Sequence, residues 1–271
     1  MKPAFSTLAC PELPLAELLE LAKRQRIDAV EIRLDRDGRL CGMGLKEMPR
    51  AKAMLDASGV ALSDLASGIS VCDGDTAPLA QMESCAKMAQ ALGVRGIRIF
   101  VGRGAAYFTD PIERDLDGVA HVLRMGAELV AKYGAELWVE THSDYSTGAV
   151  VADLLSRVKD DRVRVIWDVM HSIEWGESPM ESVRYLGNTI VHVHLKDGTR
   201  PADPNRTAYD LCALGVGDVD FTEICRALQS IGYDGYLSLE WEQMWHPELA
   251  ACYKDTDALL SAYRELLARD F

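Results

Sequence analysis

The chain has 271 residues, 48% hydrophobic and 26% charged, a composition that excludes disordered, fibrous and membrane-embedded classes. With 29 basic against 42 acidic residues and a formal net charge of −13, it repels nucleic acid and anionic membranes at long range. No apolar run reaches the roughly 18 residues of a membrane span, and MKPAFSTLACPELP at the N-terminus lacks a signal-peptide core. A cytoplasmic protein with no nucleic-acid or membrane partner is therefore expected. Cys10, Cys41, Cys72, Cys85, Cys212, Cys225 and Cys252 are scattered and form no CxxC, which points to reduced thiols rather than a thiolate zinc site.

Taken in chain order, apolar strand patterns at Ala4–Ala9, Ala29–Leu34, Ala61–Ala66, Gly96–Val101, Glu136–Thr141, Val163–Val169, Ile190–Lys196 and Gly235–Trp241 alternate with amphipathic helices. Leu15, Leu18, Leu19 and Ala22 follow the i, i+3, i+4, i+7 rule. So do Met82, Cys85, Ala86 and Ala89, and again Phe221, Ile224, Cys225 and Leu228. Gly59, Gly93, Gly134 and Gly232 are placed as left-handed C-caps, and Asp220 as an N-cap. Eight strand–helix repeats without a linker predict an α/β fold, a (β/α)8 TIM barrel, as a single domain over 1–271. No Gly-rich phosphate loop follows the first strand, which weakens the doubly wound alternative. The longest predicted loop runs DGTRPADPNRTAYDLCALGVGDVD after strand seven.

The polar residues in these strands are unusual. VHVHLKD puts His192, His194 and Lys196 on one face; ELWVETH ends with Glu140 and His142, VIWDVMH with Asp168 and His171, and LSLEWE with Glu240. In a barrel these strand ends share one rim, where active sites lie. Buried carboxylates without partners are strongly disfavoured, so convergence of Glu140, Asp168, His194 and Glu240 calls for a shared cation. Three oxygen ligands and one nitrogen suit a single divalent ion, Mn²⁺ first, with Mg²⁺, Co²⁺ or Zn²⁺ accommodated. His192 is expected one layer below, packed or hydrogen-bonded. Glu31 and Arg33 share a face and either pair internally or contact substrate; Trp175 walls an apolar side of the pocket. His121 reads as a surface residue, and His246 as a loop or helix-start residue. Arg103, Arg200 or Arg206 would have to reach any substrate phosphate.

VETH, WDVMH, HVHLKDGTR and LEWE resemble the xylose isomerase-like barrel superfamily, which includes sugar isomerases, ketose 3-epimerases, inosose and dehydroshikimate dehydratases and endonuclease IV. The resemblance spans nearly the whole chain. It implies a metal site at Glu140, Asp168, His194 and Glu240, a substrate contact at His171, and an arginine at Arg200 that binds substrate oxygens. His142 resembles the E-x-H variants of less characterised branches. The second glutamate of the ketose epimerases is Ser146 here. The histidines of the three-metal endonuclease site are missing, and the two-metal xylose isomerase has a longer chain. Dimers or tetramers are common among such proteins, so a homo-oligomer is an open expectation.

The implied chemistry is isomerisation or epimerisation of a small carbohydrate or polyol ketone. Glu140 and Glu240 would move a proton next to a carbonyl through an enediolate. A metal-dependent lyase of the inosose or dehydroshikimate dehydratase type is the alternative, with His171 or Lys196 as acid.

Overall fold

The structure, a computed structural model, describes residues 1–102, 113–203 and 206–271; Arg103 lies outside them. Eight parallel strands form the barrel: β1 (Lys2–Ser6), β2 (Ala29–Arg33), β3 (Ala61–Ala66), β4 (Gly96–Val101), β5 (Glu136–Glu140), β6 (Val163–Asp168), β7 (Ile190–Leu195) and β8 (Tyr236–Leu239). Neighbours in sequence pair in parallel, with register shifts in β2–β3 and β6–β7; β8 pairs with β1 and β3 with β4, so the sheet closes on itself. Around it pack α1 (Leu15–Arg24), α2 (Met48–Ser58), α3 (Leu79–Leu92), α4 (Leu116–Ala131), α5 (Gly148–Val158), α6 (Val169–Glu174), α7 (Pro179–Leu186), α8 (Phe221–Ser230) and α9 (Thr256–Asp270). Among the described residues, no helix is long and apolar enough to cross a membrane.

Local chemistry sets these boundaries. Asp115, Thr147, Asp168, Ser178, Asp220 and Asp255 each accept a first-turn amide as N-cap, which satisfies donors that a helix start leaves orphaned. Gly59, Gly93, Gly134 and Gly232 all have positive φ, as expected for left-handed caps. The apolar faces of α1 and α8 are buried against the barrel. His121 is exposed on α4, and Cys85 and Cys225 are buried.

Most strands are a residue or two shorter than the sequence reading, and three differences have a clear local cause. The first strand ends at Ser6, because the Ser6 hydroxyl accepts the Leu8 amide and turns Thr7–Ala9 into a 3-10 helix. The sixth strand ends at Asp168, whose carboxylate accepts the His171 amide and starts α6. The long loop after β7 contains a two-residue antiparallel ladder, Gly198–Thr199 with Asp210–Leu211. Asp197 organises that loop from below, accepting the amides of Gly198, Gly215 and Gly217.

The barrel interior is polar at two levels. At the lower one, the Trp138 indole lies over Gly96, where an added Cβ would come within 2.4 Å of it. His192 stacks on Trp138 with ring centroids 6.3 Å apart. Asp64 is fully buried and accepts only the Ser63 hydroxyl on Oδ1, while its Oδ2 makes no hydrogen bond among the described residues. Burial, reinforced by the Glu31 carboxylate, pushes the Asp64 carboxyl up to about 6. The folded chain thus holds this proton more tightly than the unfolded chain, and stability falls as pH rises from about 4 through about 6. Asp64→Asn is expected to stabilise the protein by about 1–3 kcal/mol at pH 8 and to be near neutral at pH 4. Thermal unfolding at the two pH values checks this; an equal effect at both would exclude titration as the cause.

Candidate active site

The upper polar level holds the residues singled out by the sequence. Strand pairing sets Asp168 beside His194, and His194 beside Ser238. Glu140 and Glu240 reach the same point from the ends of β5 and β8. One ligand atom from each of Glu140, Asp168, His194 and Glu240 lies within 4.8 Å of all the others, and all four residues are buried. His194 Nδ1 stands 3.6 Å from Glu140 Oε1, 3.5 Å from Glu240 Oε1 and 3.9 Å from Asp168 Oδ2. His142 and His171 extend the cluster, since Glu140, His142 and His171 also offer atoms within 4.8 Å of one another.

Orientation of His194 comes from below. Its Nε2 lies 3.0 Å from Glu31 Oε2, which also accepts from Ser238 Oγ at 2.8 Å and lies 3.0 Å from His192 Nε2. With Nε2–H given to Glu31, Nδ1 of a neutral His194 presents a lone pair to the carboxylates. His192 sits one layer lower, hydrogen-bonded, as its strand position suggests. Arg98, rather than Arg33, is the cation near Glu31. Its guanidinium is buried, 3.7 Å from Glu31, 3.2 Å from Glu140 and 3.7 Å from Glu240.

The electrostatics show a site short of positive charge. Burial by itself would raise the Glu140 carboxyl, but Arg98 and His194 outweigh it and hold it below the usual range. Burial opposes ionisation of Glu240 too, and Lys196, His194 and Arg98 together hold it far below. Asp168 does not escape: burial dominates and pushes its carboxyl up to about 7 despite Lys196. Burial disfavours the charged form of His194, yet Glu31, Glu240 and Glu140 drive its pKa well above the imidazole range. Glu140 Oε2 and Asp168 Oδ2 face the cations of Arg98 and Lys196, and His194 Nδ1 has no hydrogen-bond partner among the described residues. Three carboxylates and this nitrogen, brought together from four strands, fit a divalent ion. Glu140, Asp168, His194 and Glu240 could hold it, with Glu31 fixing the imidazole.

Lys196 lies fully inside this network. Its Nζ stands 2.7 Å from Asp168 Oδ2, 2.7 Å from Glu240 Oε2 and 2.5 Å from Glu242 Oε1. Burial would lower its pKa, but these three carboxylates raise it well above the usual lysine range. In this arrangement it bridges the three carboxylates. Its fourth neighbour is His171 Nε2 at 3.2 Å, while His171 Nδ1 lies 2.9 Å from the Thr141 carbonyl oxygen. His142 packs 4.8 Å from the rings of both His171 and Phe100. Burial, then the charge of His171, pushes its imidazole down to about 4.

Other sequence candidates lie apart from the four. Arg200 is exposed, and its guanidinium donates to the Tyr209 hydroxyl. Arg206 pairs with Asp210. Trp175 is half-buried as the C-cap of α6. Ser146 bonds the Ser143 carbonyl, and His246 is half-buried at the start of a 3-10 helix. Glu242 and Ser238 escaped the sequence reading. Their signal was the alternation Ser238, Glu240, Glu242 along one extended run.

Comparison with known proteins adds the family. The description "Xylose isomerase-like TIM barrel" matches residues 19–261. An inosose dehydratase of Clostridium botulinum (strain Eklund 17B / Type B) is 27% identical over 147 residues, 48% of this chain and 48% of that protein. The 3-dehydroshikimate dehydratase of Bacillus anthracis is 27% identical over 175 residues, 59% of this chain and 60% of its own length. The inosose dehydratase match therefore spans about half the length of that relative. The structure of D-psicose 3-epimerase with D-tagatose from Clostridium cellulolyticum H10 superposes with a TM-score of 0.79 at 18% identity, covering 100% of this chain and 98% of that one. At that identity the likeness speaks for the fold. A closed eight-stranded parallel barrel and a family match over residues 19–261 lead to one conclusion: the chain belongs to the xylose isomerase-like TIM barrel family.

Proposed function

We propose that the protein is a divalent-metal-dependent enzyme that moves a proton next to a carbonyl of a small carbohydrate or polyol ketone, as an isomerase or epimerase. One observation carries this reading: three carboxylates and a ring nitrogen of His194 converge within 4.8 Å at the buried upper end of the barrel. Mn²⁺ is the ion we assign first. When bound, it supplies Lewis acidity that polarises a carbonyl and lowers the acidity barrier at the neighbouring C–H. Glu140 and Glu240 enter from strands on different sides of the cluster, each kept ionised by neighbouring cations, Arg98 for the first and Lys196 for the second. Either carboxylate can take the proton from the substrate carbon. Return of a proton to the adjacent carbon gives the isomer, and return to the opposite face gives the epimer. His142, neutral and packed on Phe100, offers a wall with one hydrogen-bonding nitrogen to a sugar hydroxyl.

A second reading is favoured by the names of the curated relatives, both dehydratases. Loss of a β-hydroxyl from the same enediolate would need an acid, and the Lys196–His171 pair stands 3.2 Å apart beside the cluster. We place the activity in the cytoplasm and leave the oligomer as a proposal that sedimentation would decide.

Elemental analysis of protein purified without chelator should give about one divalent ion per chain, lost in His194→Ala; a metal-free protein that stays so after Mn²⁺ loading would overturn the reading. Glu31→Gln should weaken metal affinity about 10–100-fold with the fold intact, because the imidazole loses the anion that orients it; titration with Mn²⁺ measures this. Glu140→Gln or Glu240→Gln should abolish solvent-proton exchange at the substrate C–H in D₂O without lowering the unfolding temperature. Exchange that persists in both would remove these carboxylates from the chemistry, whereas a conjugated, ultraviolet-absorbing product would select the dehydratase.

A further inference from the structure

The guanidinium of Arg33 has no structural partner that accounts for its charge. Arg33 closes β2 at the barrel mouth, and its amide is fixed by the Thr7 hydroxyl at 2.9 Å. Its side chain is half-buried. The guanidinium lies 5.3 Å from the Trp245 ring and 4.0 Å from the Met244 sulfur, both on the loop after β8 that also carries Glu242. Neither neighbour is an anion, and among the described residues Arg33 makes no ion pair. Its nearest charges make this worse. Burial, then Arg98 and Arg36, act against its charged form, and Glu240 acts for it. Among the described residues, fully buried Arg98 faces three carboxylates, and half-buried Arg124 and Arg164 donate to the carbonyl oxygens of Arg157 and Asn188, whereas the Arg33 guanidinium has no oxygen acceptor.

Space adjoins it on two sides. Thr7, Glu12, Arg33, Asp35, Arg39 and Met244 line a cavity of about 410 Å³, and Arg33, Asp35, Arg36, Asp37, Ser67 and Gly68 line another of about 440 Å³. Both open on the β1–β2–β3 side of the mouth, across the barrel from Asp168. A half-buried guanidinium without a counter-ion is disfavoured unless a bound anion supplies one. The planar fork matches a carboxylate or phosphate with two parallel hydrogen bonds. On a chain of net charge −13, which repels anions at long range, an uncompensated cation beside the acidic cluster is a selective feature.

We propose that Arg33 receives an anionic group of the substrate, so that the protein acts on an acidic or phosphorylated polyol ketone rather than a neutral sugar. This rests on the placement of the substrate carbonyl over the four-residue cluster. The two anion sources share one chemistry, and the probes separate them. Dissociation constants would be measured by calorimetry on Mn²⁺-treated protein for D-fructose, 5-keto-D-gluconate and D-fructose 6-phosphate, with Arg33→Gln and Arg33→Lys alongside. At least one charged probe should bind about tenfold or more tightly than D-fructose. Arg33→Gln should bring that ratio close to one, Arg33→Lys should keep part of it, and added salt should shrink it. A ratio near one in the unaltered protein, a preference that survives Arg33→Gln, or no binding of either charged probe would overturn the proposal. Metal content of the same samples reports separately on the cluster, so loss of the metal site and loss of anion selection give different results.

Discussion

Closure of the barrel forces strand ends of like charge onto one point from which water is largely excluded. Glu140, Asp168 and Glu240 would repel one another strongly there, since unscreened like charges a few ångströms apart interact with several kcal/mol even at moderate dielectric. The rest of the upper barrel is arranged around that repulsion. Arg98 enters from β4 beneath Glu140, Lys196 from the end of β7 between Asp168 and Glu240, and His194 stands in the middle. Even so, burial pushes the Asp168 carboxyl up to about 7. The four residues Glu140, Asp168, His194 and Glu240 could hold a divalent cation at this point.

The layers of the barrel have different tasks. The lower layer, with Trp138 over Gly96 and His192 against Trp138, is a packing layer with a few fixed hydrogen bonds. Glu31 links it to the upper layer through a single oxygen that serves His192, His194 and Ser238. An imidazole held this way cannot rotate freely, which is what a ligand position requires. Above the cluster lie groups suited to contact a substrate: His142 and His171 on one side, and Arg33 under Trp245 on the other. Asp197 serves neither side directly. It ties three amides of the loop after β7 and so fixes the rim.

The matched proteins carry the names of both dehydratases and an epimerase. Here the epimerase-type second glutamate is Ser146, whose hydroxyl is bound to the Ser143 carbonyl. That position offers a hydroxyl engaged with the backbone in place of a carboxylate.

The sequence by itself determined the eight strand–helix repeats, the glycine caps, the Asp220 N-cap and the convergence of four ionisable groups. These follow from local periodicity and from the two-residue alternation of side chains along a strand. It also placed His192 one layer below His194. It did not show that Arg98 rather than Arg33 stands beside Glu31, that Glu242 joins Lys196, or that Arg200 turns toward Tyr209. Nor did it show that Ser6 and Asp168 end their strands by capping. Those outcomes join residues far apart in sequence or depend on a side chain competing for a backbone amide. Only the closed barrel decided them, because shear and strand tilt fix which inward-pointing side chains meet at each level.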